Sequence, residues 1–260
     1  MLFDAVEIEH TVDAEAALEF MKEATKLAST TELEDIGARL ERKCALFHDH
    51  LAEERIFSLD EAGLKKVIGT IFSLRRKAKR LLRANDFDVI RSELQFLLYG
   101  EDPVALRFDR FVGAIDGVEP AMKIALASEV LHFTHPTDNW LWTHWMWNPS
   151  AGNGALALVT QDGVDLSGAT NGETYLKVGQ ALELVNLQGH AVGYSRSGSG
   201  ALGTDVFLAC VYAVFMYTVF RVKLSQEFNR ILPELPELVQ RVLGVHHHRH
   251  AIATGEPATT

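Results

Sequence analysis

Residues 120–132, PAMKIALASEVLH, make a helical pattern that is apolar on almost every side. Such a helix is stable in water only when other elements surround it, because every face carries apolar area that must be covered. A second stretch, Val206 to Phe220, runs fifteen residues without a charge. A membrane span needs about 20 such residues, so this stretch too reads as a buried core helix. Two helices that must be wrapped require several amphipathic ones around them. The expected fold is therefore mainly α, a multi-helix globular domain, and 260 residues suffice for its core.

The remaining chain supplies that covering. Residues 12–28 place Ala16, Leu18, Met21, Ala24 and Leu27 at helical spacing. A second helix is expected over 31–54, opened by a Thr31/Glu34 capping box and carrying His50 and Glu54 one turn apart as a surface pair. A third runs from near Ser58 to about Ala84, and a fourth covers 86–99 before Gly100 and Pro103 stop it. Residues 104–116 form a short helix, and Pro120 sits where a first-turn proline belongs. Residues 150–172 are rich in glycine and small polar residues, which fits a small hairpin or a loop insertion. Helices resume over 173–188 and 205–230, the latter capped by Thr204 or Asp205, and a last short one ends at Gly244.

One helical domain over 1–250 follows, with the GEDP link dividing it into 1–100 and 104–244 if it divides at all. Residues 245–260, with His246, His247, His248 and His250, read as a disordered tail. Cys44 and Cys210 lie in apolar helical patterns and read as buried small hydrophobes. The N-terminus carries acids where a signal peptide would be basic, so a cytoplasmic location without a membrane role is expected.

The formal net charge of −10 excludes a protein that coats nucleic acid with its whole surface. One local exception stands out. Arg75, Arg76, Lys79, Arg80 and Arg83 fill one arc of the expected third helix and are candidates for binding an anion or a nucleic-acid backbone. The commoner account of such an arc is a solvated face. The glycines of GSGALG, 198–203, match a dinucleotide-binding spacing but lack a preceding strand, and GYSRS around Ser195 misses the second glycine of a nucleophile elbow.

The chemically pointed residues lie between 129 and 147. Glu129 falls in the arc of Met122, Ala125 and Phe133, and His132 follows about 60° away. A carboxylate inside an apolar arc is costly unless it is paired or ligated. Glu-x-x-His is the spacing of carboxylate-bridged di-iron bundles, but the other match, Glu7 to His10, lacks a helical pattern. A mononuclear site of Glu129 and His132 with His135 or His144 would suit zinc or iron. A simple buried Glu–His pair is the commoner outcome, and no cofactor is expected. All four tryptophans, Trp140, Trp142, Trp145 and Trp147, cluster just beyond, beside His135, Asp138 and His144. Tryptophan is enriched at interface hot spots, so these seven residues are candidates for contacting a partner or ligand. The tryptophan spacing puts some of the rings in the core, and a simple aromatic core layer fits equally well.

The segments IDGVEPAMKIALASEVLHF and LWTHWM resemble the hairpin, helix and catalytic segment of the helix-hairpin-helix DNA glycosylase superfamily, over about residues 115–146. The resemblance implies a helical fold. Ala121 stands near the position of that superfamily's catalytic lysine, Trp142 near its aspartate, and Glu119 replaces the second hairpin glycine. It therefore implies a relative from which glycosylase chemistry has gone. The expected function is a non-catalytic helical accessory protein that binds a protein partner or works with an enzyme complex. The alternatives are a metal-dependent enzyme or sensor using the Glu/His residues of 129–144, and a nucleic-acid binder using the basic face 75–83.

Overall fold

The computed structural model describes residues 10–192, 200–223 and 233–246. Ten α-helices make up the described chain, so the expected mainly α, multi-helix fold is what forms. They are α1 (Ala14–Leu27), α2 (Thr30–Leu51), α3 (Glu61–Gly69), α4 (Ala78–Ala84), α5 (Phe87–Tyr99), α6 (Val104–Ala114), α7 (Pro120–Thr134), α8 (Asn171–Val192), α9 (Ala201–Lys223) and α10 (Leu235–Val242). The GYSRS segment and the first two residues of GSGALG lie outside the described residues, as do His247, His248 and His250.

Helix α7 behaves as its pattern demands. From Ile124 to Thr134 every residue is buried, enclosed by α2, α5 and α6. Helix α9 packs on α1, α2, α8 and α10. Its span Ala201–Val219 is long and apolar enough to cross a membrane, and 56% of that window is buried inside the fold. Helix α2 links the two central helices, touching both α7 and α9. Burial pushes the Cys44 thiol to about 11 and the Cys210 thiol to about 12, so neither is a ready nucleophile.

Several local expectations are corrected. The capping box of α2 is Ser29 with Glu32, two residues earlier than expected, with both reciprocal bonds present. Helix α2 stops at Leu51, before Glu54, so His50 and Glu54 do not share a helical face. In α1 the inward residues are Ala17 and Ala24, while Leu27 is exposed. The insertion forms loops, with a short 3-10 turn at Leu156–Leu158 and isolated β-bridges from Val12 to Thr160 and from Asn148 to Asn153. Thr204 and Asp205 lie inside α9, which starts at Ala201.

The largest correction concerns 58–84, which is not one helix. Helix α3 ends at Gly69, and consecutive i→i+3 turns follow, from Thr70 to Val67, Ile71 to Ile68, Leu74 to Ile71 and Lys77 to Leu74. The Thr70 carbonyl, just past the end of α3, accepts from Lys43 across the core. Helix α4 then begins afresh at Ala78.

The chain beyond α10 stays packed further than expected, since Val245 is buried and His246 is half-buried against Glu237. Gly244 (φ +73°) ends α10 in a Schellman turn, with Val245 N–H bonded to the Gln240 carbonyl and Gly244 N–H to that of Arg241. A β-carbon at Gly244 would lie 1.7 Å from the Thr70 carbonyl oxygen. Gly244→Ala is therefore expected to cost about 2 kcal/mol or more, from left-handed strain plus this clash, read as a drop in the urea midpoint. An unchanged midpoint would refute the account of this turn.

Candidate functional site

Two ion pairs cross the core where α2, α7 and α9 meet. Lys43 of α2 occupies an inward position in the stripe Leu33, Ile36, Leu40, Phe47 and Leu51, and its side chain is fully buried. Its ammonium donates to Glu129 Oε2 (2.6 Å), the Leu243 carbonyl (2.9 Å) and the Thr70 carbonyl (3.3 Å). An ammonium has three donors, so all are used. It also lies 4.1 Å from the centroid of the Phe133 ring. Burial holds the Glu129 carboxyl above the ordinary carboxylate range, and the Lys43 charge opposes that shift.

His132 forms the second pair, one turn along α7. Its Nε2 lies 2.7 Å from Asp205 Oδ2 and its Nδ1 lies 2.8 Å from the Asn139 carbonyl oxygen. Both neighbours are acceptors when Asp205 is ionised, so only the doubly protonated imidazolium satisfies both contacts. Burial acts to lower the His132 pKa, but Asp205 and the Asn139 carbonyl outweigh it, and the net shift is upward. An imidazolium has no lone pair to give a metal. The structure thus gives Glu129 and His132 separate partners instead of joining them at a common centre. Among the described residues no group of three or more His, Cys, Asp or Glu side chains is arranged to hold a metal ion.

The aromatic segment is anchored to α7 by Ser128, whose Oγ accepts the Trp142 N–H at 2.6 Å. Trp142 is fully buried, donates its indole N–H to the Trp147 carbonyl (3.0 Å) and stacks on Phe108. Trp147 is also buried, and Trp140 is half-buried beside Gly179 of α8. The tryptophans are thus mostly core, not a presented surface. His135 packs edge-on against Tyr99, its pKa lowered mainly by burial, and Asp138 is exposed in the turn after α7. Trp145 differs. It tilts against Tyr212 of α9, and with Thr143 and His144 it faces a cavity.

That cavity has a volume of about 530 Å³. Its walls come from α7 (Ala121, Ala125, Glu129), the 143–148 segment, the loop 153–158, α9 (Tyr212, Phe215, Met216) and the turn after α3 (Phe72, Ser73). Gly154 closes the loop against Met146, where a β-carbon would fall 2.3 Å from the Met146 carbonyl oxygen. The lining is largely apolar, yet Ser73 Oγ, Thr143 Oγ1 and Trp145 Nε1 are buried without a hydrogen-bond partner among the described residues. His144 is exposed, with its pKa lowered by burial of part of the ring.

Of the residues picked out from sequence, Glu129, His144 and Trp145 meet at this cavity, and His135, Asp138, Trp140, Trp142 and Trp147 do not line it. Ala121 is on its wall, whereas Glu119 faces Arg80 at 3.7 Å. Sequence reasoning missed Lys43, Asp205, Ser73, Thr143 and Tyr212. Only Lys43 left a signal, as a charge inside a helical apolar stripe. The basic residues do not form one helical face: Lys79, Arg80 and Arg83 are exposed on α4, while Arg75 and Arg76 belong to the turn before it. Compared with known proteins, the chain matches no family model, no curated protein and no solved structure.

Proposed function

We propose that this chain is a non-catalytic binding protein that holds a small, mostly apolar molecule in the 530 Å³ cavity. The observation that carries this reading is the set of three buried polar groups without a partner among the described residues, on Ser73, Thr143 and Trp145, all in the lining of that one cavity. Buried polar groups are rarely left unpaired, and a cavity of this size with a few converging polar groups is the usual form of a small-molecule site. Glu129 adds a carboxylate to the same wall, which favours a ligand with a hydrogen-bond donor.

A binding role fits better than a catalytic one. Among the described residues the Ser73 and Thr143 hydroxyls have no hydrogen-bonded base to activate them, and the Glu129 carboxyl is already paired with Lys43. The burial of Trp142 and Trp147 favours a small molecule over a protein surface as the ligand.

Titration with the uncharged arylamine N-phenyl-1-naphthylamine tests the reading. One saturable site is expected, with quenching of tryptophan fluorescence through Trp145. Ala121→Phe and Met216→Trp, which fill the cavity from α7 and from α9, should each abolish binding. Wild-type protein that binds no probe, or variants that both bind it as well as wild type, would remove the proposal.

Thr143→Val offers a second test, because it keeps the shape and deletes an unpaired hydroxyl. Stability should rise by about 1 kcal/mol, seen as a higher urea midpoint. A fall in stability would mean that the hydroxyl is paired within the protein.

A further inference from the structure

The cavity has an inner end and an outer end. Of its lining, Ala125, Glu129 and Thr143 are buried, at 3%, 4% and 6% exposure. Phe72 and Phe215, at 40% and 38%, are large apolar side chains left in water, and both belong to the same lining. His144 is exposed as well. The opening therefore lies on the side of Phe72, His144 and Phe215, and the Glu129 carboxylate lies at depth.

The charge inventory of this lining is short. Among the described residues it holds no lysine or arginine, and Glu129 is its one acidic side chain. Lys43, which does not line the cavity, takes Glu129 Oε2 at 2.6 Å and spends its other two protons on the Leu243 and Thr70 carbonyls. Glu129 Oε1 makes no hydrogen bond among the described residues, so it is the oxygen left to a ligand. An ionised carboxyl oxygen can only accept.

We infer that the ligand of this cavity is a neutral alcohol, with its hydroxyl donating inward to Glu129 Oε1 and its apolar body lying toward Phe72 and Phe215. This inference rests on the cavity being a ligand site. Other head groups fit worse. A carboxylic acid would ionise and place like charge beside Glu129, with no lysine or arginine in the lining to answer it. An ammonium would be desolvated beside a carboxylate whose charge Lys43 already balances. A hydrocarbon or an ether has no proton for Oε1, and leaving a buried acceptor without a donor is costly. A hydroxyl also accepts, which suits a lining in which Trp145 Nε1 can only donate.

Displacement of N-phenyl-1-naphthylamine from the full chain at neutral pH tests the head group, using four ligands on one decyl chain. These are 1-decanol, 1-methoxydecane, decanoate and decylammonium. In the wild type, 1-decanol should compete at least about tenfold more tightly than each of the other three. In Glu129→Gln, Lys43 can only donate and so takes the amide oxygen, which turns the amide N–H groups toward the ligand. An alcohol and an ether both accept, so their affinity ratio in this variant should fall to about one. Should Glu129→Gln fail to fold because Lys43 is stranded, the wild-type series still decides the ligand class. A probe displaced equally well by 1-decanol and 1-methoxydecane would overturn the inference and leave the cavity reading standing. Tighter binding of decanoate or decylammonium would also overturn it, assigning the ligand to the acids or the amines. So would an alcohol preference that survives in folded Glu129→Gln. A wild type that binds no N-phenyl-1-naphthylamine would instead remove the cavity reading, and this inference with it.

Discussion

Lys43→Met should lower the unfolding free energy by about 3–5 kcal/mol. The substitution roughly conserves volume, so the loss is electrostatic. It strands the Glu129 carboxyl in the core and removes the donor of the Thr70 and Leu243 carbonyls. Protonation of Glu129 limits the damage, which gives the variant a signature in pH. The deficit should be smallest at low pH, where the carboxyl is neutral in both folded and unfolded chains, and should grow as pH rises and only the unfolded chain ionises readily. Lys43→Met/Glu129→Met should recover much of the loss, because a buried ion pair can often be replaced by apolar side chains at little cost. Recovery stays incomplete, since the two carbonyls still lack their donor. A urea double-mutant cycle measures all three terms. A Lys43→Met variant within about 1 kcal/mol of wild type would show that this ammonium does not anchor the junction of α2, α7 and α10.

The second large effect is expected at Asp205. Asp205→Ala should cost about 3–5 kcal/mol near pH 6, because it leaves a buried imidazolium without its counter-charge. The pH dependence follows from the direction of the His132 shift. Its folded pKa lies above the unfolded value of about 6.5. The stability it contributes is therefore fully present below about pH 6.5 and is lost as pH rises through the raised folded value. Wild-type stability should accordingly decline on the alkaline side, and the gap to Asp205→Ala should narrow there. Urea midpoints measured from about pH 6 to about pH 9 follow both curves. Parallel curves would mean that His132 is not held as the imidazolium. His132→Gln should likewise flatten the alkaline decline.

Much of the architecture was written in local pattern. The all-round apolar stretch 120–132 could only be a surrounded helix, and α7 is buried almost throughout. Gly244 as a helix stop and Pro120 as a helix start were equally legible, since each depends on the backbone of one residue. The boundary at Gly69 was not. Residues 70–77 keep an amphipathic pattern and carry no proline, and the Thr70 carbonyl is claimed by a lysine from another helix. Nothing within that segment announces such a partner.

The chemical site divides along the same line. Sequence marked Glu129 and His132 as groups that had to be paired, because burial of an ionisable group in an apolar helix is costly whatever surrounds it. It could not say with what. The two residues are one turn apart, which invited a shared centre, yet Lys43 and Asp205 approach them from α2 and α9. The tryptophans were ambiguous for a related reason, since clustering in sequence says nothing about which rings face inward. Trp142 and Trp147 went to the core and Trp145 to the cavity wall.

Taken alone, then, the sequence determined a mainly helical fold, two helices that must be enclosed, and a carboxylate and an imidazole that must be satisfied within them. Helical periodicity and the cost of burying charge act over a few residues, so they can be read from the chain directly. Tertiary structure alone decided that the satisfying partners are Lys43 and Asp205, and that Ser73, Thr143 and Trp145 line one cavity with Glu129. Those outcomes depend on how separate helices dock, and docking is set by the packing of whole faces, which no local spacing encodes.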